Sequence, residues 1–229
     1  MSQAAARAAG VALIAVVACW TGFRVYSART AAQATSVPAG QASPPTPADF
    51  AASLEDAPPL PAKIPDHLPS FSLNDRSGIP TPIATWAGKS LVLNFWATWC
   101  APCRREIPLL QALQGELAAA DVTIVGIAVD HRDEVAAFAK QFNISYPLLV
   151  GEQDALDVAA AFGVKSPAFP FTVFTDRRGE VVALYLGELH RPQAGLILGV
   201  VQDLNQDRLT LPQARRTIAE GLSALAAKT

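Results

Sequence analysis

The sequence predicts an α/β sandwich with a mixed central β-sheet flanked by helices, preceded by an N-terminal membrane segment. Three observations predict it. Two short, almost continuous apolar runs, residues 91–97 and 122–129, read as strands buried on both faces. Stretches with apolar residues at helical spacing follow each of them. Near the end, residues 171–174 and 181–186 flank the polar, turn-like Asp176-Arg177-Arg178-Gly179, which reads as a hairpin. Strand, helix, strand, helix, hairpin and helix in that order belong to one layered domain.

Residues 8–23 form an apolar run without a charge, with Arg7 before it and Arg24 and Arg29 after it. The run is shorter than the ~20 residues that span a bilayer, though flanking arginines can snorkel. Residues 1–29 therefore read as a signal anchor, with a cleaved signal peptide as the alternative. Val16-Val17-Ala18-Cys19 also resembles a bacterial lipobox, which would make Cys19 a lipidation site; its plain reading is a small apolar residue in a membrane helix. The charges after the run outnumber those before it, against the usual positive-inside bias, so charge does not set the orientation. Residues 30–65 turn to Ala, Pro, Ser, Gln and Thr and contain eight prolines, Pro38, Pro44, Pro45, Pro47, Pro58, Pro59, Pro61 and Pro65. Such a stretch buries too little to offset its ordering entropy and reads as a semi-extended tether.

The domain proper is expected over residues 66–206. After the strand at 91–97 comes Cys100-Ala101-Pro102-Cys103, then Ile107, Leu110, Leu113 and Leu117 at helical spacing. Residues 133–142 and 154–162 are helical patterns, and 192–204 is a closing helix. Residues 207–229 form a helical extension whose amphipathic part, 209–227, fits packing on the domain.

Composition excludes several classes. A net charge of −2 and a pI near 5.9 leave no electrostatic footprint for nucleic acid. Three cysteines are too few for a disulfide scaffold, and two of them sit in one C-x-x-C, so cysteine here is chemistry. A zinc site would need a second ligand pair, and His67, His131 and His190 show no metal spacing; no metal and no cofactor is expected. The pair follows a strand and opens a helix. Helix N-terminal N–H groups carry partial positive charge, so a Cys100 thiolate there is stabilised below the free thiol pKa and is the exchange nucleophile. Cys103, one turn on, is placed to resolve a mixed disulfide.

Trp99-Cys100-Ala101-Pro102-Cys103-Arg104-Arg105-Glu106-Ile107-Pro108, with the approach Asn94-Phe95-Trp96-Ala97-Thr98-Trp99, resembles the active site of the TlpA/ResA-like family of membrane-anchored thioredoxin-fold thiol–disulfide oxidoreductases. The resemblance spans residues 65–204 and implies a redox-active Cys100–Cys103 disulfide. Asn94 stands where thioredoxins proper have a buried Asp, and cannot act as a base. The resemblance implies instead an acid at Glu106, on the helix face of Cys103 at i+3, taking the Cys103 proton; the alternative is a solvated surface Glu. Pro108 matches a kink-forming proline that frees a carbonyl one turn back. Phe169-Pro170 is the candidate cis-proline beside the cysteines, with Pro167 as a rival because Ser166-Pro167-Ala168 lengthens this stretch. Trp99, Pro102, Phe169 and Pro170 are the candidate substrate-side residues, with Trp99 exposed.

The expected activity is reduction of partner-protein disulfides on the outer face of a bacterial cytoplasmic membrane, in the periplasm. A membrane thiol donor would supply electrons, and the resemblance suggests apocytochrome c haem-site cysteines or a copper-site assembly factor as substrates. An oxidase or isomerase is the alternative in direction; Ala101-Pro102 lacks the His that makes such pairs strongly oxidising. A copper carrier would use C-x-x-x-C with a distant His, and the spacing here is one residue shorter, although His190 is available. A peroxidase would place Thr where this chain has Ala97.

Overall fold

A computed structural model of the chain describes residues 64–117, 121–165 and 168–227. The membrane-segment and lipobox readings, and the tether up to residue 63, lie outside the described residues. Among the described residues no helix is long and apolar enough to cross a membrane.

The fold is thioredoxin-like: one mixed sheet flanked by helices. Its strands are β1 (Ser72–Asp75), β2 (Pro80–Pro82), β3 (Ser90–Trp96), β4 (Val122–Val129), β5 (Leu148–Gly151), β6 (Phe171–Thr175) and β7 (Val181–Leu186), with a 3-10 turn at Ile83–Trp86. The helices are α1 (Ala101–Leu117), α2 (Arg132–Gln141), α3 (Gln153–Ala161), α4 (Arg191–Asn205) and α5 (Leu211–Ala226). Strand order is β2-β1-β5-β4-β3-β6-β7. β3, β4 and β5 are parallel, whereas β6 runs antiparallel to β3 and β7 to β6.

The two continuous apolar runs lie at the centre because both faces of β3 and β4 are covered. Alternation along β3 sends Leu91, Leu93 and Phe95 into a core with α3, and Val92 and Trp96 into a core with α1, α2, α4 and α5. The hairpin falls where the turn residues predict it. Buried Asp176 holds the turn by accepting from the N–H groups of Arg178 at 2.9 Å and Glu180 at 2.8 Å.

Three strands escape the sequence reading. β5 is a four-residue run between two helices, too short to show a period. β2 is the sheet edge, with β1 beside it, and β2 begins and ends with proline, as an edge permits.

α5 packs Ala214 and Ile218 into the α1-side core. Thr210 and Gln213 form its capping box. From its first turns Arg215 reaches across to the other end of the domain: it donates to the Val181 carbonyl at 2.7 Å, the Pro65 carbonyl at 3.3 Å and Asp66 at 2.8 Å. The C-terminal helix thus clasps the first described residues against β7. Arg215→Ala is expected to cost about 1–2 kcal/mol, read as a Tm drop of about 3–6 °C in thermal unfolding; an unchanged Tm would show that the clasp contributes nothing.

Candidate active site

Cys100 and Cys103 are joined as a disulfide, Cα to Cα 5.3 Å, at the start of α1. Cys100 is the helix N-cap. Its carbonyl accepts the Arg104 N–H at 3.2 Å, and its Sγ accepts the Cys103 N–H at 3.3 Å. A sulfur therefore does what a Ser or Asp oxygen does at an ordinary N-cap, taking one of the donors the first turn leaves unpaired. Once the bond is opened, the same N–H and the helix dipole face a Cys100 thiolate. Cys103 is fully buried and Cys100 is 5% exposed.

The loop into the pair is held from β4. Asp130 accepts from the Thr98 N–H at 3.0 Å and from its hydroxyl at 2.5 Å. Trp99 then projects outward, 69% exposed, and meets the Phe169 ring edge-on with centroids 6.0 Å apart. Trp96, three residues earlier, is core. The Phe169–Pro170 bond is cis. Phe169 is half-buried and packs on the core that holds both cysteines, Pro170 is buried and Pro102 half-buried. The rival Pro167 lies outside the described residues.

Strand register builds the polar part of the site. Asn94 pairs with Gly126 on β4 and with Thr172 on β6, and the pleat turns Asn94 and Thr172 to the α1 side. A Cβ at Gly126 would come within 2.5 Å of Leu148 and 3.0 Å of the Trp96 and Tyr146 rings, so glycine admits those rings here. Glu106, on the inward face of α1 with Cys103, comes down on this row. It is 1% exposed. Its Oε1 accepts from Asn94 Nδ2 at 2.7 Å and its Oε2 from the Leu189 N–H at 2.8 Å. Asn94 also donates to Thr172 Oγ1 at 3.1 Å. Asn94, set aside in sequence as unable to be a base, is the side chain that holds the expected acid. Leu189, Thr172 and Asp130 carry no sequence motif; the signal available for Asn94 was a polar residue in an apolar strand, which must find a partner when buried.

Burial pushes the Glu106 pKa up from 4.5 to about 7; the Leu189 and Asn94 hydrogen bonds pull it back, and the like charge of Glu188 adds to the rise. A carboxyl so placed can exchange a proton near neutrality. Among the described residues no three His, Cys, Asp or Glu side chains converge on a point that could hold a metal ion.

The AhpC/TSA family model matches residues 64–184. The chain is 33% identical over 129 residues to the thioredoxin-like protein YneN of Bacillus subtilis (strain 168), covering 55% of this chain and 72% of that one. It is 33% identical over 122 residues to the thiol-disulfide oxidoreductase ResA of Geobacillus thermodenitrificans (strain NG80-2), covering 53% and 68%. A secreted thiol-disulfide isomerase from Corynebacterium glutamicum superposes with a TM-score of 0.50 at 25% identity, over 66% of this chain and 85% of that one.

The raised acid has a stability consequence. The folded protein holds the Glu106 proton more tightly than the unfolded chain, so this contribution is complete below pH 4.5 and is lost as pH rises through about 7. Against the uncharged Glu106→Gln variant, the oxidised wild type is expected to lose about 3 kcal/mol across that window. Urea unfolding at a series of pH values measures it, and a pH-independent difference would contradict the assignment.

Proposed function

Since the chain belongs to the AhpC/TSA family of thioredoxin-fold proteins and is a thiol–disulfide oxidoreductase, we propose that it reduces partner-protein disulfides outside the cytoplasm. The observation that carries this reading is the disulfide at the N-cap of α1, with Glu106 buried behind it and hydrogen-bonded on both oxygens. In the reduced protein the Cys100 thiolate attacks one sulfur of the partner disulfide. A mixed disulfide forms, and the partner's first sulfur leaves as a thiolate. Cys103 gives its proton to Glu106 and attacks Cys100 Sγ. The partner's second thiolate is released, the Cys100–Cys103 bond closes, and two electrons have passed to the partner. Glu106 then returns its proton to a departing thiolate or to water. A membrane dithiol donor reopens the pair.

Trp99, Pro102, Phe169 and Pro170 make up the docking side, with the exposed Trp99 and half-buried Phe169 offering aromatic surface. Residues 1–29 anchor the chain in the bacterial inner membrane, with lipidation at Cys19 as the other route to attachment. Residues 30–65 tether residues 66–206, and residues 207–229 are the helical extension. Apocytochrome c or a copper-site assembly factor is the substrate class that the family resemblance suggests. Support for reduction over oxidation is the absence of His between the cysteines.

Cys103→Ala leaves the nucleophile without its resolving partner. Full-length protein carrying it is expected to accumulate a mixed disulfide through Cys100 with its substrates, seen on non-reducing gels and absent from Cys100→Ala. No Cys100-dependent adduct would refute the exchange mechanism.

A further inference from the structure

The turn between β7 and α4 touches the site twice. Gly187, at φ +96°, donates its N–H to the Pro170 carbonyl at 2.9 Å, and Leu189 donates to Glu106 at 2.8 Å. Between them Glu188, its side chain 18% exposed, meets the more exposed Arg105. Its Oε2 accepts from Arg105 Nε at 2.9 Å and from the Arg105 terminal nitrogen at 2.5 Å. Arg105 is the neighbour of Glu106 on α1. One three-residue strap is therefore tied to α1 from inside, by Leu189 on Glu106, and from outside, by Glu188 on Arg105.

The groups around Glu106 are unequal in charge. β3 presents Asn94 and, behind it, β6 presents Thr172, both neutral. Tyr146 ahead of β5 and Tyr185 on β7 are phenols that burial first, and the Glu106 charge second, push up, so both stay neutral. On its own helix Cys103 is in a disulfide. The charged groups are Glu188 and Arg105.

We propose that the Arg105–Glu188 pair is a positioning element for the acid–base step, in which Arg105 screens the Glu188 charge from Glu106 and holds the strap that delivers the Leu189 N–H. This rests on the reading of Glu106 as the proton acceptor for Cys103. Arg105→Gln removes both effects in the same direction: Glu188 repels a Glu106 carboxylate unscreened, and the strap loosens. Glu188→Gln keeps an acceptor for Arg105, so the strap stays, while the repulsion goes and the Arg105 charge remains.

The experiment uses the oxidised full chain with carboxyl-labelled glutamate, the Glu106 resonance being assigned by its loss in Glu106→Gln. Its titration midpoint is expected to rise by about half a pH unit in Arg105→Gln and to fall by about as much in Glu188→Gln, the scale of an ion pair at the surface with one partner half-sheltered. Midpoints that stay put, or that move the same way in both variants as mere loosening of the strap would dictate, overturn the proposal. The pH profile of partner-disulfide reduction, taken on the same variants, separates this from the proposed function. A profile that follows the resonances supports both. Resonances that shift in opposite directions under an unmoved profile leave the pair controlling the Glu106 carboxyl, but overturn its part in an acid–base step and, with it, Glu106 as the proton acceptor for Cys103.

Discussion

The carboxylate of Glu106 enters the interface between α1 and the sheet, and the site depends on how that charge is accommodated. It is 1% exposed there, and a buried charge without partners is prohibitively costly. The sheet supplies one partner through Asn94, which register sets between Gly126 and Thr172. The connection after β7 supplies the second through the Leu189 N–H. Two bonds are enough to keep the group buried and too few to hold it ionised across the whole pH range, which is why it titrates near neutrality. A carboxylate with many donors would stay charged, and one with none would stay protonated.

The two cysteines are differentiated by the same helix. Cys100 is at the N-cap, where helix donors favour a negative sulfur, and keeps 5% exposure next to the exposed Trp99. Cys103 sits one turn in, buried on the Glu106 face. One sulfur faces the helix donors and keeps slight exposure. The other is sheltered and has the buried Glu106 carboxyl on its own helix face. That difference supports the proposed order of exchange, Cys100 first and Cys103 second.

Much of this was legible in the sequence. The β3, α1 and β4 segments are long enough to show their period; Cys100, Cys103 and Glu106 sit in one motif, and Phe169-Pro170 stands apart just before the hairpin. What was not legible shares one physical cause. β5 is too short to carry a pattern, and β1 and β2 are held by pairing rather than by their own hydrophobicity. Leu189 acts through a backbone N–H that any residue but proline would offer. Arg105 and Glu188 are 83 positions apart and ordinary as surface charges until the fold joins them. Asn94 was visible as a departure from the thioredoxin pattern, but its meaning needed the register that places it under Glu106.

The central claim is that the Cys100–Cys103 couple gives electrons to partner disulfides. An equilibrium redox titration of this couple in glutathione and dithiothreitol buffers tests it most directly. The proposed reductase requires a potential towards the reducing end of the thioredoxin-fold range, about −270 mV. A potential near about −120 mV, at the oxidising end, would contradict it and make the protein a donor of disulfides.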